Sequence, residues 1–227
     1  MAGLDLVIIA SFLLAFKAVL VEGSEVAILS LATIKLIGRR NVLLGVVLGG
    51  LGSIVTFLIV WNTFLALKTF SEALINLIPG MVILYFSYRF LRGFVKYYFR
   101  GKSFRAKMEK WSDEVVEKDL KHSGGVRTSK GQIPFSVGNS LPVFSITMTE
   151  GFEASLVLAA AGAFNLEWTL VGALASILLL IIVCAFSYDY LMRVPRWLLD
   201  LIAGIVLLSF GSYFFISGIL IYLGIIS

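Results

Sequence analysis

Apolar residues fall along this chain in long, nearly uninterrupted stretches. They follow neither the alternation of a half-buried strand nor the one-sided stripe of a soluble helix. Six stretches approach or exceed the length of about 20 residues that a helical bilayer crossing needs. They run from about Leu6 to Ile34, Val42–Leu67, Ala73–Tyr88 with an extension, about Val137–Phe164, Trp168–Tyr188 and Leu201–Ile226. The pattern predicts an all-α polytopic membrane protein with six transmembrane helices. Residues 1–95 form a first three-helix unit, 96–136 a basic loop and 137–227 a second three-helix unit. The second, fifth and sixth stretches carry no charged residue, whereas the first and fourth do.

Composition agrees. Of 227 residues, 59% are hydrophobic and 15% charged, against roughly 25% charged in a soluble domain. An ordinary soluble domain and intrinsic disorder are both excluded. The net charge of +5 would suggest nucleic acid in a soluble protein, but its placement points to the membrane instead, and no nucleic-acid partner is expected. With alternating helices, Lys35, Arg39, Arg40, the basic residues from Arg89 to Lys130, Arg193 and Arg196 share one side, 17 of the 19 in all. Positive charge stays cytoplasmic, so both termini are expected outside, in a multi-pass protein of the plasma membrane. The lone Cys184 excludes disulfides and thiolate pairs. The first twelve residues lack Lys and Arg, so no signal-peptide n-region is read and the N-terminus is expected to be retained.

In the loop, Phe104, Met108, Trp111 and Val115 at helical spacing, with Glu114–Lys118 and Glu117–Lys121 four apart, predict a basic amphipathic helix, either on the inner leaflet or linking the two halves. His122, beside Ser123-Gly124-Gly125, reads as an exposed loop histidine rather than a metal ligand.

The two halves repeat. Val21-Glu22-Gly23-Ser24-Glu25-Val26-Ala27 superposes on Thr149-Glu150-Gly151-Phe152-Glu153-Ala154-Ser155 at an offset of 128, Gly45 on Gly172 at 127, and Gly80-Met81-Val82-Ile83-Leu84 on Gly204-Ile205-Val206-Leu207-Leu208 at 124. Three is odd, so the second unit enters the membrane from the opposite side, which gives inverted repeats with a site expected at their interface near the midplane.

That site is predicted to be Glu22, Glu25, Glu150 and Glu153. Residues three apart share a helix face, so each pair points one way. A carboxylate inside a span costs about 2.5–3.5 kcal/mol by insertion scales, and Lys17 is the one cation read at comparable depth. A buried ion-pair network therefore leaves about three acids unmatched, whereas a bound cation would match them. Oxygen-only donors suit hard ions such as iron, manganese, magnesium or calcium, and neither Cys nor His is at hand for zinc or copper. Gly23 and Gly151 would permit close helix approach or a local unwinding. Asn62 with Asp189 and Asn76 with Asp200 fall at matching positions near span ends and read as interfacial. Tyr85, Ser87, Tyr88, Ser209, Ser212 and Tyr213 read mainly as helix–helix hydrogen-bonding groups. Gly45, Gly49 and Ser53 read as a packing face inside the monomer. A homo-oligomer is compatible with the sequence.

Two Glu-Gly-x-Glu motifs, in the first and fourth helices of a duplicated membrane protein, resemble the oxidase-dependent iron permeases of fungi and bacteria, where the motif reads Arg-Glu-Gly-x-Glu, often followed by Ala. The resemblance implies that Glu22, Glu25, Glu150 and Glu153 bind the permeating metal, iron first. Here Val21 and Thr149 replace the arginines, which leaves the site more negative, and six spans stand against the family's usual seven. The chain is also similar, less closely, to manganese/calcium–proton exchangers with duplicated Glu-x-Gly-Asp motifs. The expected function is transport of a metal cation by alternating access, with no resident cofactor and no enzymatic activity; a proton-coupled manganese or calcium exchanger is the alternative. An intramembrane metal-dependent enzyme or a scaffold is the reading from other classes.

Overall fold

The computed structural model describes residues 2–99, 135–186 and 196–226. The predicted loop helix, His122, Asp189 and Arg193 lie outside them. Among the described residues the chain is all α-helical: α1 Ala2–Ile37, α2 Arg39–Phe70, α3 Glu72–Phe99, α4 Val137–Phe186 and α5 Arg196–Tyr222. Five segments are long and apolar enough to cross a bilayer, namely Val7–Ile34, Arg39–Leu67, Glu72–Lys96, Val137–Cys184 and Asp200–Tyr222, which marks the chain as a membrane protein. The outward faces of α2 and of the end of α4 fit that reading. Leu43, Leu51, Ile59, Leu174, Leu178 and Ile181 are all exposed, a surface that water would penalise and lipid would not.

Each helix end has a local cause. Gly38 separates α1 from α2 with φ +81°, a left-handed conformation that side chains other than glycine rarely adopt. Ser71, in extended conformation, ends α2, and its Oγ accepts a hydrogen bond from Ala73 N at 3.2 Å, which caps the start of α3. Within α4 the backbone of Asn165 leaves the helix (φ −154°, ψ 99°), and its Oδ1 accepts from Trp168 N at 3.1 Å, so Asn165 caps a new helical segment. Two arms result, 137–164 and 166–186.

Contacts reveal the direction of the arms. Along the first arm, numbers fall as α1 rises: Ser11 donates to the Ala161 carbonyl, while Glu22 meets Glu150. Along the second they rise together, Phe12 lying against Gly172 and Gly23 against Leu180. The arms therefore run in opposite directions past α1. Packing is extensive within the set α1, α2 and α4 and between α3 and α5, and sparse between these two bodies. An apolar seam joins them, in which Ala10, Leu14, Ala18, Phe64, Ile83, Phe86, Phe90 and Phe214 are buried together.

Glycines set the separation within each body. A Cβ at Gly45 would stand 2.7 Å from the Ser140 carbonyl, one at Gly80 2.8 Å from Phe215 N, and one at Gly49 2.6 Å from Thr147 Cβ. The Gly45–Gly49–Ser53 face thus packs inside the chain, against the first arm of α4, as expected. Gly50, one residue on, faces open space.

The third span carries the extension read from the sequence. It continues past Tyr88 to Phe99, because the apolar spacing Ile83, Phe86, Phe90 runs on through Arg89 and Phe94 stacks on Tyr98. Arg89 therefore belongs to the span and not to the loop.

Gly49→Leu should lower the thermal unfolding midpoint in detergent by several degrees, since overpacking a tight crossing costs about 1–3 kcal/mol, whereas Gly50→Leu should leave it unchanged.

Candidate metal-binding site

The four predicted glutamates are all buried, on unbroken stretches of α1 and the first arm of α4. Neither Gly23 nor Gly151 unwinds its helix. A Cβ at Gly23 would stand 2.6 Å from Leu180 Cδ1, and one at Gly151 would collide with Ser53 Oγ. The glycines let the flanking segments press α1 and α4 together from behind, which brings the glutamates, about 100° around each helix, face to face. Ser155, one turn past Gly151, sends its hydroxyl toward the Ser53 and Gly151 carbonyls at 2.8 and 2.6 Å, fixing α4 against α2.

The four do not act alike. Glu22, Glu25 and Glu150 each offer an oxygen such that all three lie within 4.8 Å of one another. Oxygen ligands at about 2.0–2.6 Å from one ion are separated by at most about 5 Å, so this spacing fits direct coordination of a hard cation. Glu22 also lies within hydrogen-bonding reach of Glu150. Two carboxyl groups can share such a bond only through a proton, so a proton can stand in for part of the cation's charge. Glu153 turns away and ion-pairs with Arg89 of α3. Three of the four expected acids thus converge, and the fourth, Glu153, is held by α3.

Two more charged groups complete the surroundings. Lys17 does not snorkel to the surface: its Nζ is buried, 3.1 Å from the centroid of the Phe90 ring, without a hydrogen-bond partner among the described residues. It interacts electrostatically with Glu22 and Asp200. Asp200, read from the sequence as interfacial, is only 2% exposed, and a Cβ at Gly93 would stand 2.6 Å from its Oδ2. Its repeat counterpart Asn76 is half-buried and donates to the Glu72 carbonyl of its own helix. Asn62 likewise bonds its own helix from an exposed position.

The balance of four acids against one base is therefore revised. Arg89 and Lys17 both stand beside the acids, and Arg89, from α3, supplies a guanidinium although positions 21 and 149 carry none. The sequence signal for Arg89 was the helical spacing of apolar residues continuing beyond it; Asp200 had no comparable signal. Among the hydroxyl groups, Ser87 donates to the Gly204 carbonyl at 2.9 Å, the helix–helix role expected. Tyr85, Tyr88 and Tyr213 are exposed and supply nothing to the glutamates.

Arg89→Gln should destabilise the protein in detergent by about 1–2 kcal/mol, below the usual cost of breaking a buried pair because the Arg89 side chain is 48% exposed. The double variant Arg89→Gln/Glu153→Gln should recover most of that loss in a thermal double-mutant cycle.

No family model, no curated protein and no solved structure matches this chain, so the chemistry of the site rests on its own residues.

Proposed function

We propose that the protein is a multi-pass plasma-membrane transporter for a metal cation, which binds between Glu22, Glu25 and Glu150 with Glu153 in reserve. The observation that carries this reading is the convergence of three buried carboxylates at a helix crossing within an apolar bundle. Acids at such depth are costly unless matched, and intramembrane ionisable groups mark ion pathways more often than structural pairs. An oxygen-only set favours a hard ion. Iron stands first through the resemblance to the oxidase-dependent iron permeases, with manganese and calcium next. Transport is preferred to catalysis because, among the described residues, no His or Cys accompanies the acids.

The mechanism follows from an inverted repeat of six crossings. The reversal of α4 at Asn165 supports two crossings within that helix, and Asn165 stands 127 residues after the Gly38 turn. Close contacts come in equivalent pairs. Gly45 meets Ser140 and Gly172 meets Phe12; Gly23 meets Leu180 and Gly151 meets Ser53; Gly80 meets Phe215 and Gly204 meets Leu91. Each pair maps onto the other by the sequence offsets, as a two-fold axis in the membrane plane requires, and Glu22 opposite Glu150 falls on that axis. Basic residues at one end of the bundle set the orientation, with both termini outside. The hydrogen-bonding reach between Glu22 and Glu150 suits exchange of a proton for the metal.

In proteoliposomes, uptake of Fe²⁺, Fe³⁺, Mn²⁺ or Ca²⁺ should depend on the protein and vanish in Glu22→Gln and in Glu150→Gln while both variants stay folded. A metal at about 100 times its dissociation constant should stabilise the wild type by about 2.7 kcal/mol and leave the variants unmoved. Undiminished flux in both variants would remove the glutamates from the transport path.

A further inference from the structure

The two repeats are not in equivalent surroundings. In the first, Val21 is buried and the Lys17 ammonium is covered by Phe90 of α3. In the second, the counterparts Thr149 and Ser145 are both exposed. Further along the same helices the order inverts: Ala160 is fully buried, while its counterpart Ala32 is exposed. Phe164 stacks on Phe214 of α5 with ring centroids 3.6 Å apart, yet the equivalent pair, Leu36 and Phe90, is not formed, because Phe90 lies over Lys17 instead.

One displacement accounts for all of this. The α3–α5 pair is symmetric about its own crossing near residues 85–86 and 209–210, and the α1–α4 pair about Glu22 and Glu150. With Phe90 level with Lys17, the crossing of α3 and α5 lies beside the N-terminal half of α1. The offset from the glutamates is on the order of 10 Å at about 1.5 Å per residue. The apolar seam accordingly lies on that side of the glutamates, holding the N-terminal half of α1, the far half of α2 and the far half of the first arm of α4. Two charged contacts fasten the off-centre pair: Arg89 of α3 to Glu153, and Lys17 to the Phe90 face and the field of Asp200.

We propose that α3 and α5 form a mobile body that slides between two symmetry-related positions on the α1–α2–α4 body, with Arg89 as the positioning residue that latches it to Glu153 in the conformation described. Here the α3–α5 pair covers the glutamates from the N-terminal end of α1, the outer face by charge asymmetry. In the other position Phe90 reaches Leu36, Tyr213 approaches Glu25 and the cover changes sides. A cation bound among the glutamates competes with Arg89 for Glu153 and frees the latch. The inference rests on the inverted-repeat transporter reading, but the movement can be tested without any metal.

The test uses the full-length chain in proteoliposomes in a Cys184→Ala background. Oxidation with copper–phenanthroline should link Phe164→Cys to Phe214→Cys, and in a separate variant Leu36→Cys to Phe90→Cys, with either link abolishing flux. With the first link in place, an impermeant maleimide should label Thr149→Cys from the cytoplasmic face only. With the second in place, it should label Val21→Cys from the outer face only. Arg89→Gln should raise the Leu36–Phe90 yield several-fold, and Arg89→Lys should restore most of the wild-type distribution, which a purely structural arginine would not do.

Absence of the Leu36–Phe90 link in protein that runs as a monodisperse species, or unchanged labelling of Val21→Cys in the linked state, would overturn the movement. Both links together with flux that ignores Glu22→Gln would support the movement and sink the cargo assignment. Glutamate-dependent flux without the second link would do the reverse.

Discussion

Carboxylates inside an apolar helix crossing set the terms for the rest of this molecule. Each loses its hydration, and neither α1 nor the first arm of α4 offers enough positive charge to replace it. The cations that stand nearest come from different places, Lys17 from α1 itself and Arg89 from α3, and they reach the acids unequally. Arg89 takes Glu153 outright, whereas Lys17 lies under Phe90 and acts on Glu22 only through space. Glu22, Glu25 and Glu150 are left as a cluster with spacing for a hard ion. A metal ion or a proton is the mobile positive charge that such a cluster can take.

Packing gives the cluster its shape. Glycines at 23 and 151 lie behind the glutamates and let the second arm of α4 close on α1 and α2 close on the first arm of α4, while Gly45, Gly49 and Gly172 let the same flanking segments approach closely along their length. In lipid there is no hydrophobic gain from joining helices, so close backbone approach and dispersion must hold the crossing together. The same small residues that stabilise it therefore decide how near the carboxylates come. Function and packing share residues here.

Much of this was legible from the residues alone. The glutamates declared themselves by depth, spacing and repetition, and the glycines inside the motif by their position between them. The reversal at Asn165 was legible as the gap between the fourth and fifth apolar stretches. Arg89 was not, because hydropathy ends a span at its first charge; the helix continued with Phe90 buried and Phe94 stacked on Tyr98. Asp200 was missed for a related reason. At the edge of an apolar run an acid is normally wetted, and only the close approach of Gly93, fixed by the α3–α5 crossing, buries it.

The inequality between the repeats then acquires a physical meaning. A duplicated sequence with identical surroundings in both halves would leave its midplane site equally covered from both faces, and an ion there would have no preferred exit. Lys17 opposite Ser145 and Arg89 opposite Tyr213 place both added positive charges in the first repeat, and Asp200 opposite Asn76 places the added negative one in the second. Such differences give the two positions of α3 and α5 unequal energies, and a ligand can shift that balance only by as much as it discriminates between them. A cation that competes with Arg89 for Glu153 discriminates directly, since its binding removes the contact that distinguishes one position from the other.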